Sequence, residues 1–148
     1  MDDSILGTSK QTEIIDDYPM NSWENKLKAP YVERFNGNIC VRNGEIDRAM
    51  KYYNKSLFGL KMIFDGNKDR FLNNPSEAVE FVRDIEIPVS LNLAHCYNKK
   101  EMFHYAIKYC ADVLKNDPEN VKGLYRRAVA YTGIGEVSRA RKDLDDAL

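Results

Sequence analysis

No stretch of this chain is apolar for long enough to cross a membrane. The best candidate, SLFGLKMIF at residues 56–64, is interrupted by Lys61 and stops far short of the ~20 apolar residues a spanning helix needs. The N-terminus is acidic and lacks the basic start and apolar run of a secretory signal, so a cytoplasmic home, with the nucleus as a second compartment, is expected. Net charge is only −1, so no global field draws the chain to nucleic acid or anionic lipid, and neither is expected as a partner. The three cysteines, Cys40, Cys96 and Cys110, are an odd number at wide spacing without a CxxC pair. They argue against a disulfide frame and for reduced thiols. The two histidines, His95 and His104, come without a companion set of acidic or cysteine ligands, so neither a metal nor a catalytic centre is expected, and no cofactor. A glycine-rich phosphate loop is missing too, and no alternating apolar/polar run argues for a sheet.

What is present is a soluble balance of 43% hydrophobic and 30% charged residues over 148 positions, enough for one domain with a core. Charge is unevenly spread. Asp2, Asp3, Glu13, Asp16 and Asp17 face only Lys10 in the first twenty residues, so residues 1–21 read as an acidic, flexible tail and the folded domain as 22–148.

Repetition decides the fold. Ala94 and Ala128, Tyr97 and Tyr131, and Ala106 and Ala140 are each 34 residues apart. An earlier copy is visible in GNICVRNGEIDRAMKYYNKSL, where Gly37 precedes Ala49 by the 12 residues that also separate Ala94 from Ala106 and Ala128 from Ala140. From Ala49 to Ala106 the spacing exceeds one period by 23, which marks an insertion between the first two copies. Thirty-four is the period of the tetratricopeptide repeat (TPR), a helix-turn-helix whose small residues let neighbouring helices approach. Because one pair cannot bury its apolar stripe alone, stacked pairs share a core. The expected architecture is therefore all-α, a right-handed α-solenoid of three repeats at about 30–64, 75–115 and 118–148.

Local signals divide these further. Ser22 is a cap for a short helix leading into a first A-helix over 30–43, with Pro30 restricting the join. Gly44 turns the chain into a B-helix over 45–64, and DGNKDRFLNN reads as a polar loop. Asn74-Pro75-Ser76-Glu77 starts an extended second A-helix over 75–98, bent or interrupted at Pro88. Its B-helix covers 101–115. Asp117 and Pro118 predict the cap and first turn of a third A-helix over 118–133, and a last helix over 136–148 follows a turn at Gly135. That last helix is left with an apolar face that a truncated portion or a partner would cover.

The third A-helix carries the most distinctive chemistry. Lys122 and Arg126 stand four residues apart, so both cations emerge on one face, while Val121, Leu124, Tyr125 and Ala128 offer another face to bury. Two cations on a packed helix suit an anion of fixed shape; the same spacing also describes an ordinary solvated face. SLNLAHCYNK, NVKGLYRRAVAY and the GN of FNGNIC resemble the TPR domains of FKBP-type immunophilins and aryl-hydrocarbon-receptor-interacting-protein-like co-chaperones, over about 30–148.

That resemblance implies a non-catalytic co-chaperone module. It would hold the C-terminal Met-Glu-Glu-Val-Asp of heat-shock protein 90, or the related tail of heat-shock protein 70, in a carboxylate clamp, with a client protein as a further partner. The clamp maps onto Arg34, Asn38, Asn92, Lys122 and Arg126. Arg34 stands where the family usually has lysine, a planar fork in place of a compact ammonium. The isomerase activity of such proteins needs a separate β-rich domain for which this chain has no room. A scaffold for an unrelated protein partner, or the chaperone-binding part of a larger isomerase, are the alternative readings. Remaining features have ordinary explanations: Arg127 as a surface ion-pair residue, Asp143, Asp145 and Asp146 as solvated charge, the Asn54 sequon as chance. The cysteines and Tyr52, Tyr53, Tyr97, Tyr125 and Tyr131 read as core.

Overall fold

The computed structural model describes residues 13–148, all of whose regular elements are helical. They are α1 (Trp23–Arg42), α2 (Ile46–Gly66), α3 (Lys68–Asn73), α4 (Pro75–Phe81), a π-helical turn (Val82–Glu86), α5 (Ile87–Lys99), α6 (Phe103–Asn116), α7 (Val121–Gly133) and α8 (Val137–Ala147). Three helical hairpins, α1/α2, α5/α6 and α7/α8, therefore follow one another with α3 and α4 inserted after the first. The chain divides into two compact units, up to Val89 and from Ser90 onward.

In the first unit, α1 and α2 pack closely because Gly37 has no side chain. A Cβ built there would lie 2.5 Å from the Tyr53 ring, whose hydroxyl donates to Asn38 Oδ1 at 2.6 Å. The short capped helix and the A-helix expected on either side of Pro30 are one continuous helix. Ser22 caps it, its hydroxyl accepting from the Asn25 N–H. Pro30 is buried against α2, where Ser56 donates to its carbonyl at 2.7 Å.

Residues 1–12 of the acidic segment lie outside the described residues. Its described part rests on α1 and α2. The Ile15 N–H donates to Asn36 Oδ1 at 2.8 Å, the Asn36 amide returns a bond to the Ile15 carbonyl at 2.9 Å, and the Tyr52 hydroxyl donates to Asp16. Asn36 is fully buried, so this exchange of two bonds satisfies an amide that would otherwise be costly.

The polar loop expected over DGNKDRFLNN is instead largely the short helix α3. One aromatic explains it: Phe71 turns inward and meets Phe64 and Phe81 edge-on, with ring centroids 4.8 and 6.1 Å away. Further on, the interruption expected from Pro88 is a π turn, closed by the Ile87 N–H on the Val82 carbonyl. In an α-helix the Asp84 carbonyl would accept from residue 88, and a proline there has no N–H to give. Arg34 donates to it, its Nη1 lying 2.8 Å from that carbonyl.

The second unit is centred on Ala94, Ala106, Cys110 and Ala130, all fully buried, with Tyr97, Phe103, Ile107 and Tyr109 packed around them. Gly133 serves α6 and α7 as Gly37 serves the first hairpin: a Cβ would lie 2.5 Å from the Phe103 ring. Between α7 and α8, Arg127 donates twice to Asp143, both bonds at 2.8 Å. Asp143 is thus buried and paired, not solvated, and Arg127 is half-buried; the neighbouring Asp145 and Asp146 are exposed. The hairpin turns are left-handed at Gly44 (φ 77°) and Gly135 (φ 80°), and the equivalent position of the second repeat, Glu101, takes φ 57° without being glycine.

The third A-helix starts later than expected, at Val121. Asn120 is its cap, accepting from the Gly123 N–H at 2.8 Å, while Asp117 to Asn120 form a turn closed by the Asn120 N–H on the Asp117 carbonyl. Proline at the second position suits that turn as well as it suits a helix start. All three cysteines are buried free thiols, and burial raises Cys96 to about 11 and Cys110 to about 12. Among the described residues no helix is long and apolar enough to span a membrane, and no group of acidic, histidine and cysteine side chains could hold a metal.

Candidate functional site

The second unit contains an open cleft of about 530 Å³ between α5 and α7, lined by His95, Asn98, Lys99, Val121, Lys122, Tyr125, Arg126 and Val129. From α5 come positions i, i+3 and i+4; from α7 come two turns of one face, so each set is delivered by helical periodicity alone. Lys122 and Arg126 therefore do share a cleft, and Lys99 adds a third cation. No carboxylate lines it. Asn98 anchors the wall: its amide donates to the Arg126 carbonyl at 3.0 Å, while its own buried Oδ1 has no hydrogen-bond partner. His95 has its pKa lowered, first by burial and then by the positive charges of Arg126 and Lys99.

Asn92 sits on α5 three residues before His95, which places it on the same face of that helix, and it is half-buried. Arg34 and Asn38 belong to the first unit, one turn apart on α1. Both are held by their own neighbours, Arg34 on the Asp84 carbonyl and Asn38 beneath the Tyr53 hydroxyl.

Two residues assigned to the core face of the third A-helix lie elsewhere. Leu124 and Ala128 are buried, but Val121 and Tyr125 are 58% and 57% exposed and line the cleft beside the cations. Asn98, Lys99 and Val129 went unnoticed in the sequence, and His95 was considered there only as a metal or catalytic residue. Their signal was the spacing Asn92, His95, Lys99, which repeats one helical face. An apolar residue next to a cation on an exposed stripe gives no such sign.

No family model matches the chain. Among solved structures, the C-terminal TPR-containing domain of a Plasmodium falciparum FK506-binding protein superposes with a TM-score of 0.69 at 30% identity, covering 86% of this chain and 80% of that one. This chain belongs to the tetratricopeptide-repeat family. The TPR domain is also 29% identical over 131 residues to the human peptidyl-prolyl cis-trans isomerase FKBP4, which takes in 88% of the chain but 27% of that protein. It is 26% identical over 145 residues to mouse aryl-hydrocarbon-interacting protein-like 1, or 93% of the chain and 42% of the relative. Against Arabidopsis thaliana PASTICCINO1, also a peptidyl-prolyl cis-trans isomerase by name, identity is 32% over 114 residues and 16% of the relative. The TPR domain thus spans about a quarter of the first of these curated relatives, and the activity in their names is theirs.

Proposed function

We propose that this TPR domain is a non-catalytic co-chaperone module that grips the acidic C-terminal peptide, of Met-Glu-Glu-Val-Asp type, of heat-shock protein 90 or heat-shock protein 70. Arg34, Asn38, Asn92, Lys122 and Arg126 hold the tail, and the terminal carboxylates are the feature they recognise. The observation that supports this reading is the cleft on α7, where Lys122 and Arg126 stand with Lys99 in a concavity without a single acidic wall residue. Such a wall presents positive charge to a ligand, and a C-terminal aspartate brings two carboxylates close together. Each well-formed charge-assisted bond contributes about 1.5–3 kcal/mol. Immobilising a flexible tail offsets much of the total, so affinity is micromolar, about −7 to −8 kcal/mol. Salt weakens it, because the cleft is open to solvent. The module works in the cytoplasm, with the nucleus as a second compartment.

Titration with the pentapeptide and with its C-terminally amidated form tests the proposal. Amidation removes one carboxylate and should abolish most of the binding; equal binding of the two forms would reject the clamp and leave a scaffold for another partner. Lys122→Ala and Arg126→Ala should each weaken binding by about 1–3 kcal/mol with helical circular dichroism unchanged.

A further inference from the structure

The first unit carries an open apolar groove of about 360 Å³ that tail binding does not use. Its floor is made of small groups, Ala29 and Pro30 from α1 and Gly59 from α2. Its walls are large and soft: Met20, Trp23, Phe58 and Met62, exposed by 52, 40, 63 and 55%. These side chains are not needed for the hairpin's core, which is built on the opposite faces by Val32, Tyr53, Ser56 and Leu60. A cluster of two methionines, a tryptophan and a phenylalanine left in water is the kind of patch that marks an interaction surface, and methionine adapts to varied apolar partners.

Shape and charge define the occupant. From Trp23 to Glu33 the groove follows α1 for about 15 Å, the length of two to three helical turns. Being concave, it receives a rod; a lipid surface would call for a protruding apolar ridge. Lys26 and Lys55 border it, and Lys55 Nζ also lies over the Tyr52 ring, 5.5 Å from its centroid. The guanidinium of Arg70 lies over the Trp23 ring at 5.5 Å. Glu33 is the one acidic side chain lining the groove, and its pKa is raised by burial.

We propose that this groove docks an amphipathic helix of a partner protein, with apolar anchors at i, i+3 or i+4, and i+7 and carboxylates along its edges to meet Lys26 and Lys55. The mode is helix-in-groove recognition. It is independent of the chaperone tail.

Trp23 is the only tryptophan of the chain, so its emission reads the groove directly. Two synthetic helical peptides of about 14 residues, three to four turns, share one leucine/phenylalanine face and differ only in edges of glutamate or lysine. The full chain should bind the glutamate-edged peptide saturably, with a shift in Trp23 emission, at least about tenfold more tightly than the lysine-edged one. Phe58→Ala and Met62→Ala, both at exposed positions, should each weaken it severalfold with the helix content unchanged. Lys26→Glu combined with Lys55→Glu should reverse the preference. The Met-Glu-Glu-Val-Asp peptide should not compete. Equal binding of both peptides, no change in emission with either, or indifference to Phe58→Ala would overturn the proposal. So would competition by the pentapeptide, or a response to phosphatidylserine vesicles in place of the peptides.

Discussion

Replacing Arg34 by methionine keeps the apolar stem and removes the guanidinium that donates to the Asp84 carbonyl. Residue 88 is proline and offers that carbonyl no N–H, and the π turn at Val82–Glu86 lies where the helix absorbs the defect. A hydrogen bond to a charged group contributes about 1.5–3 kcal/mol, and Asp84 is only half-buried, so a loss of about 1.5 kcal/mol is expected. Urea unfolding followed by circular dichroism should show the midpoint falling by about 1 M at constant slope. The reasoning makes a sharper demand in combination. Pro88→Ala gives residue 88 an N–H that can reach the Asp84 carbonyl in ordinary helical register. In that background Arg34→Met should lose well under half of its effect. Should the two substitutions add to within about 0.5 kcal/mol, the carbonyl was not the link between them and the account of Arg34 is wrong.

Gly37→Ala should destabilise the first hairpin by about 1–3 kcal/mol, because the added methyl meets the Tyr53 ring and the bond from Tyr53 to Asn38 must shift; thermal unfolding measures the first and Tyr53 ring resonances the second. Glu101→Gly should stabilise by about 0.5–1 kcal/mol, since a left-handed turn strains any residue with a Cβ, and a lower melting temperature would refute this. Acidification should weaken the fold through His95. Its folded-state pKa is depressed, so the unfolded chain binds the proton more readily; the stabilisation is complete above about 6.5 and declines as pH falls below that value. His95→Gln should flatten this part of the stability profile, and an unchanged slope would assign it to other groups.

The repeat was open to reading because a 34-residue period recurs in small residues, Ala94, Ala106, Ala128 and Ala140, all of them buried where helices pack. Turn glycines carried as much, since Gly44 and Gly135 occupy backbone conformations that disfavour side chains. The same holds for Lys122 and Arg126, whose shared face follows from helical geometry alone. Where one local signal has two meanings, reading along the chain went astray. Asp117-Pro118 suits a helix start and a turn alike, and the Asn120 cap decided for the turn. A polar decapeptide concealed one phenylalanine that could reach Phe64 and Phe81.

Composition and spacing by themselves determined that this protein is a series of TPR hairpins with a cationic stripe on its third A-helix, because periodicity is a property of the chain. Tertiary structure alone decided which polar groups are spent on the fold. Asp143 is buried on Arg127, Asn36 on the backbone of Ile15, and Arg34 gives one N–H to the Asp84 carbonyl, fifty residues away in the chain. Whether a charge faces solvent or a partner depends on what another helix brings to it, and that is set by packing between segments distant in sequence.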